Sequence, residues 1–124
     1  VAGTVTVTET SIGNIHKVKW AWTSSAGGAA DLVTAGVYAG RAIALVTDPG
    51  STAPDDNYDI TITDSEGYDV MQGAGANRDT SNTETAVPTA TSVAFGTLTL
   101  NVSNAGPAKV GVAVLYIEGV KLGG

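Results

Sequence analysis

The stretch from Asn57 to Met71 constrains the fold of this 124-residue chain more than any other, because its side-chain alternation and its turn chemistry demand the same structure. Tyr58, Ile60 and Ile62 share one face and Asp59, Thr61 and Thr63 the other, the period of two expected of a half-buried strand. A three-residue loop of Ser65, Glu66 and Gly67 pairs Asp64 with Tyr68 and Ile62 with Val70, which keeps the apolar residues together. A four-residue loop would set Ile62 against Asp69 instead. The shorter loop also puts Gly67 where a type I turn followed by a bulge requires positive φ. Residues 57–71 therefore read as a β-hairpin.

The rest of the composition agrees with a strand-built molecule. Val, Thr, Ala and Gly dominate, Leu is sparse and there is a single Phe, a set that suits pleated surfaces and tight turns better than helices. The length is that of one domain, able to bury roughly two-thirds of the surface its unfolded chain exposes. With no cysteine, a disulfide framework, a thiolate metal site and a cysteine nucleophile are all ruled out.

Along the chain, Val5 and Val7 alternate with Thr4, Thr6 and Thr8, so residues 1–14 read as an extended N-terminal arm that either joins an edge of its own sheet or pairs with a neighbouring chain. Residues 15–124 read as a single β-sandwich domain. His16 to Trp22 forms a strand with Val18, Trp20 and Trp22 on one face and Lys17, Lys19 and Ala21 on the other. Leu32 to Tyr38 reads as a short strand. The almost continuous apolar run Arg41 to Thr47 reads as a central strand covered on both faces. A long polar loop follows the hairpin from Gln72 to Thr85, of a length that is commonly functional or held by a partner. Phe95, Leu98, Leu100 and Val102 read as one strand and Val110, Val112, Val114 and Tyr116 as its hairpin partner, with Val102 opposite Val110 and Leu100 opposite Val112. Seven or eight short strands about ten residues apart predict an all-β fold, an antiparallel β-sandwich or small barrel.

Charge and chemistry narrow the function by exclusion. The net charge of −6 is uneven, for residues 48–84 hold nine acidic side chains against Arg78 alone. Such a body repels phosphate backbones, so nucleic acid is not expected as a partner. No apolar run is long enough to cross a bilayer, so no membrane partner is expected either. His16, the only histidine, has no serine or carboxylate at a spacing that defines a triad and reads as a surface strand residue; an enzyme is not expected. Asp55, Asp56 and Asp59 could offer oxygen ligands to a hard cation, although a solvated acidic loop is the better reading of them, and neither a metal nor a cofactor is expected. The Gly73 to Arg78 run lacks the third glycine and the following helix of a phosphate-binding loop. Trp20 and Trp22 could form a stacking platform for sugar, but two large aromatics among small residues are better read as core.

Four stretches, Lys17-Val18-Lys19-Trp20-Ala21-Trp22-Thr23, Asp56-Asn57-Tyr58-Asp59 with its hairpin, Gly75-Ala76-Asn77-Arg78-Asp79-Thr80 and the closing Leu98 to Ile117 segment, give the chain its resemblance to head decoration (cement) proteins of tailed bacteriophages and related small virion structural proteins. That resemblance implies a non-enzymatic protein on the outer surface of an icosahedral capsid, bridging capsomers, with the major capsid protein and copies of itself, as a homotrimer, for partners. It carries over no fixed site residues. From the residues themselves, the expected interface is Thr4, Val5, Thr6 and Val7 of the arm, pairing with a neighbouring subunit, with Lys17, Lys19, Asn77 and Arg78. The alternatives are a carbohydrate- or receptor-binding β-sandwich module of a tail fibre, or another tail or neck component.

Overall fold

Alternating burial along strand after strand sorts the chain into two antiparallel sheets packed as a β-sandwich. The computed structural model describes residues 3–34 and 36–122. Val1 and Ala2 of the expected arm, Ala35 within the expected Leu32 to Tyr38 strand, and the closing Gly123-Gly124 lie outside the described residues. The strands are β1 (Thr4–Ile12), β2 (Ile15–Thr23), β3 (Ala30–Val33), β4 (Val37–Pro49), β5 (Asp59–Thr63), β6 (Glu84–Ala86), β7 (Val93–Gly96), β8 (Thr99–Ser103) and β9 (Val110–Leu122). One sheet runs β1-β2-β9-β4-β6, with β7 beside β6 on the far edge of β4; the other runs β3-β8-β5.

The inner faces meet in a core of Trp20, Trp22, Tyr38, Leu45, Leu115 and Ile117 from the larger sheet and Tyr58, Ile60, Ile62, Leu100 and Val102 from the smaller sheet and its loop. Small residues of β9 make room for the indoles: Ala113 stands opposite Trp20 and Gly111 opposite Trp22. A Cβ at Gly111 would collide with the Trp22 ring. Burying each such side chain contributes about 1.5–3 kcal/mol. Against this, the Trp20 and Trp22 Nε1 atoms, the Thr47 hydroxyl and the Tyr58 hydroxyl are buried without a well-formed hydrogen bond. Each costs about 1–3 kcal/mol.

The opening hairpin has the register that its sequence predicts. The Asp64 N–H donates to Tyr68 O at 3.0 Å, the Val70 N–H donates to Ile62 O at 2.8 Å, and Thr63 pairs with Asp69. Gly67 has φ of 82°. Its returning limb is only a bridge, because the Asp69 carboxylate accepts from the N–H groups of Met71 and Gly73 and winds the chain into turns. The extended partner of β5 is β8.

Four expectations are corrected. His16 is buried rather than on the surface, because it falls on the same face of β2 as the two indoles. The Arg41 to Thr47 run is central, between β9 and the β6/β7 edge, but only one of its faces is covered: Ala42, Leu45 and Thr47 are buried while Arg41 and Ile43 are exposed. The Leu32 to Tyr38 segment divides between β3 and β4, in different sheets, with the Thr34 hydroxyl bridging the break by donating to Gly36 O and accepting from the Leu98 N–H.

The closing hairpin is the fourth. Phe95 lies on β7 in the larger sheet and Leu100 and Val102 on β8 in the smaller, so Leu100 stands opposite Leu32 and Ile62, and Val112 opposite Ala21 and Asp48. Alternation placed Leu98, Leu100 and Val102 on the core face correctly, but Phe95 is exposed and β9 turns Gly111, Ala113, Leu115 and Ile117, not Val110, Val112, Val114 and Tyr116, to the core, because alternation specifies neither which face is covered nor which strand lies alongside. The crossing from β8 to β9 is shaped by left-handed backbone at Asn104 and Ala108. Ser24 holds it, donating to Gly106 O at 2.6 Å and accepting from the Lys109 N–H at 2.8 Å.

Candidate functional site

No strand layer or helix packs outside the larger sheet among the described residues, so its outer face is open, and cross-strand register shows what that face presents. Near β1 it is polar: Thr8 lies opposite Lys19 and Thr10 opposite Lys17. Across β9 it becomes apolar, with Val110, Val112, Val114 and Tyr116 half-buried. Past Tyr116 three rows continue across the sheet: Glu118–Arg41–Val93, Val120–Ala39–Phe95 and Leu122–Val37. Phe95 is 63% exposed, Leu122 62% and Val120 55%. The first row extends to Ile15 and its partner Ile12 at the tip of the β1–β2 hairpin, also exposed. A contiguous apolar field of this kind marks an interaction surface in a soluble protein.

In its midst Arg41 and Glu118 form an ion pair on adjacent strands. Beside them opens a cleft of about 480 Å³ lined by Ile43, Val87, Pro88 and Thr91 together with that pair. Lys17 and Lys19 are exposed on the same face, whereas the acids from Asp55 to Asp69 belong to the smaller sheet and its loops. The molecule is thus electrically two-sided.

β1 settles between the two placements open to the arm: residues 4–12 pair with β2 of the same sheet, and Val5 and Val7 pack against the core. Among the described residues no strand pairs with its other edge. The remaining expected interface residues do not converge with it. Asn77 is exposed and donates its N–H to Asp59 at 3.0 Å. Arg78 is spent inside the chain, donating twice to Ala76 O and lying 3.6 Å from Glu84 on β6. From β1 to β6 the sheet is four strand spacings wide, about 19 Å.

The long loop of which they are part is held by its own chain. Ile60 N–H donates to Gly75 O, and Asp79, whose carboxyl is lowered below the usual aspartate range by the backbone N–H groups of Ser81 and Asn82, closes the next turn. Asp59 also accepts from the Asn104 amide, Asp56 accepts from the Thr80 N–H, and Asp55 lies 4.0 Å from Lys109. Among the described residues no three His, Asp or Glu side chains are grouped to hold a metal ion. Trp20 and Trp22 are buried, so the sugar-stacking platform is not formed by them.

Buried His16 and Tyr38, with half-buried Glu9 and exposed Ser11 of β1, form one further polar site. His16 Nε2 lies 2.8 Å from Gly119 O and Nδ1 lies 2.7 Å from the Ser11 hydroxyl, a pattern that the neutral ring satisfies by donating to the carbonyl and accepting from the serine. Its ring meets Tyr38 edge-on, and the Tyr38 hydroxyl donates to Glu9 at 2.5 Å. Burial first, then the hydrogen bond to Glu9 and that carboxylate's charge, push the Tyr38 phenol far above its ordinary pKa. These contacts tie β1 to β4 over β2 and β9 on the inner face of the larger sheet.

No family model, curated protein or solved structure matches this chain. The sequence reading missed the apolar field because it assigned Phe95 and both faces of β4 to the interior. Its signal was apolar residues on both faces of β4 and β9 in a chain that has only two sheets.

Proposed function

We propose that this chain is a non-enzymatic virion structural protein that decorates and stabilises an icosahedral phage capsid. The observation that carries the reading is the exposed apolar field of Phe95, Val120, Leu122, Val37 and Val93 on an uncovered sheet face. A rigid sheet that presents such a field beside Lys17 and Lys19 is suited to lie flat on a protein surface with acidic patches, burying the valines and phenylalanine while the acidic sheet faces outward. The resemblance to cement proteins supports the capsid as that surface. The major capsid protein is then the principal partner and copies of this chain are the second, with β1 pairing along its open edge with a neighbouring subunit.

Electron microscopy of native particles carrying an affinity label on this chain tests the proposal. Label over the outer surface of the shell is the expected result. Label confined to tail or neck would assign another virion role, and particles without label would overturn the reading.

A further inference from the structure

Natural sheets protect their edges by keeping them short, charged, bulged or covered. Among the described residues the edges of this sandwich other than β1 follow that rule closely. β6 and β7 divide the far edge of β4 into pieces of three and four residues, and β3 is four residues long. The outer edge of β5 is covered by the Thr63–Asp69 and Tyr58–Arg78 bridges and by the bond from Ile60 to Gly75. β1 is the least protected: nine residues in uninterrupted register with β2, no lysine, arginine or proline, and one acid, Glu9, whose carboxylate is taken up by the Tyr38 hydroxyl and the Gly36 N–H.

The hydrogen-bonding groups on that edge can be assigned. Gly13 and Asn14 form a two-residue loop with Gly13 at φ of 60°, which makes Ile12 and Ile15 a hydrogen-bonded pair. Alternation then turns the N–H and C=O groups of Thr4, Thr6, Thr8 and Thr10 toward β2 and those of Val5, Val7, Glu9 and Ser11 toward the open side.

We infer that β1 pairs antiparallel with β1 of a second copy of this chain, about a two-fold axis through Thr8, so that the larger sheets of the two copies become one. The inference rests on the neighbour pairing proposed above and names its partner and register. One parity meets two requirements. Outward-pointing residues must bond to outward-pointing residues, which pairs odd numbers with odd. The threonine face of one strand must continue the threonine face of the other, which pairs even numbers with even. Of the registers that satisfy both, the one centred on Thr8 pairs every residue of β1, with Thr4 opposite Ile12, Val5 opposite Ser11, Thr6 opposite Thr10 and Val7 opposite Glu9. It also keeps the two Glu9 side chains from standing opposite each other, and it sets threonines in close cross-strand pairs. An antiparallel pair of identical strands is closed and self-complementary, so it ends at two copies.

Because the chain contains no cysteine, one introduced thiol reports the axis. Thr8 faces Thr8 of the other copy as a non-hydrogen-bonded pair, with Cα atoms about 4.5 Å apart, within disulfide reach. Thr8→Cys under mild oxidation is expected to run as a covalent pair on a denaturing gel, whereas Thr61→Cys, exposed on the other sheet, is expected to stay single. Val7→Pro removes an outward N–H without touching the bonds to β2, and is expected to halve the mass measured by light scattering. Failure of Thr8→Cys to cross-link, or an unchanged mass for folded Val7→Pro, overturns the inference. Labelling of native particles is read separately, so a chain that coats shells without pairing through β1 defeats this inference and leaves the proposed function standing.

Discussion

Single residues decide how the core and the open face are separated. His16 sits where the alternation of β2 places it, and its two ring nitrogens are used by Ser11 and Gly119. His16→Leu keeps the volume but removes the hydrogen bonds to the exposed Ser11 hydroxyl and to Gly119 O. The expected loss is about 1–3 kcal/mol, read as a lower denaturant midpoint with an unchanged m-value. Gly111 permits the Trp22 ring to lie across β9, so Gly111→Ala forces the indole or the strand to move. A loss of about 1–3 kcal/mol or more is expected, visible in thermal melts. The buried phenols set the alkaline limit. Burial raises both Tyr38 and Tyr58; the Thr47 hydroxyl and Arg78 oppose it at Tyr58, and Thr47 is close enough to act on the phenol though outside good hydrogen-bond geometry. Below about pH 10 both are neutral folded and unfolded; above it the unfolded chain ionises first, so stability falls as pH rises. Tyr38→Phe is expected to flatten that fall in melts collected across the alkaline range, and an unaltered slope counts against the assignment.

At the scale of elements, what the sequence made legible and what it did not follow one physical line. Alternation reports a residue's face, turn chemistry reports a loop, and both are local, so the Asn57 to Met71 register and the two faces of β2 could be read directly. Which strand lies alongside is non-local. Leu98 to Ile117 carries the same alternation whether β8 and β9 pair with one another or face one another across the core, and only the crossing at Asn104 to Lys109 decides. Ser24 therefore has more influence than its size suggests: from a buried position its hydroxyl serves both Gly106 and Lys109. Ser24→Ala is expected to destabilise by about 1–3 kcal/mol, with Ser24→Thr recovering part of that through its own hydroxyl. Amide exchange localised to residues 104–109 is the measurement; unchanged protection there would show that the crossing is held otherwise. The candidate interface was legible only in part for the same reason. Lys17 and Lys19 could be assigned to an exposed face from β2 alone, whereas Arg78 became an internal partner of Ala76 and Glu84 through contacts that spacing does not encode.

For the molecule as a whole, the apolar field is a property of three strands brought together from distant parts of the chain, β4, β7 and β9, and no one of them reveals it. Its side chains contribute little to the fold, since Phe95 and Val120 remain more than half exposed. Phe95→Glu and Val120→Glu should accordingly leave the unfolding midpoint within about 0.5 kcal/mol of the parent. Their effect on attachment is a different matter. A carboxylate placed at the centre of a dry contact loses its water without gaining a partner, and substitution of a central aromatic anchor commonly costs 2 kcal/mol or more, about thirtyfold in affinity. Co-sedimentation with native shells stripped of this chain is therefore expected to fall by at least that factor for each variant. Thr61→Glu, exposed on the opposite sheet, should bind as the parent does. Raising the salt concentration separates the two contributions, since it weakens what Lys17 and Lys19 supply and leaves apolar burial intact. Shell binding that survives both glutamates but disappears at high salt would move the contact from the apolar field to the lysine side of the same sheet.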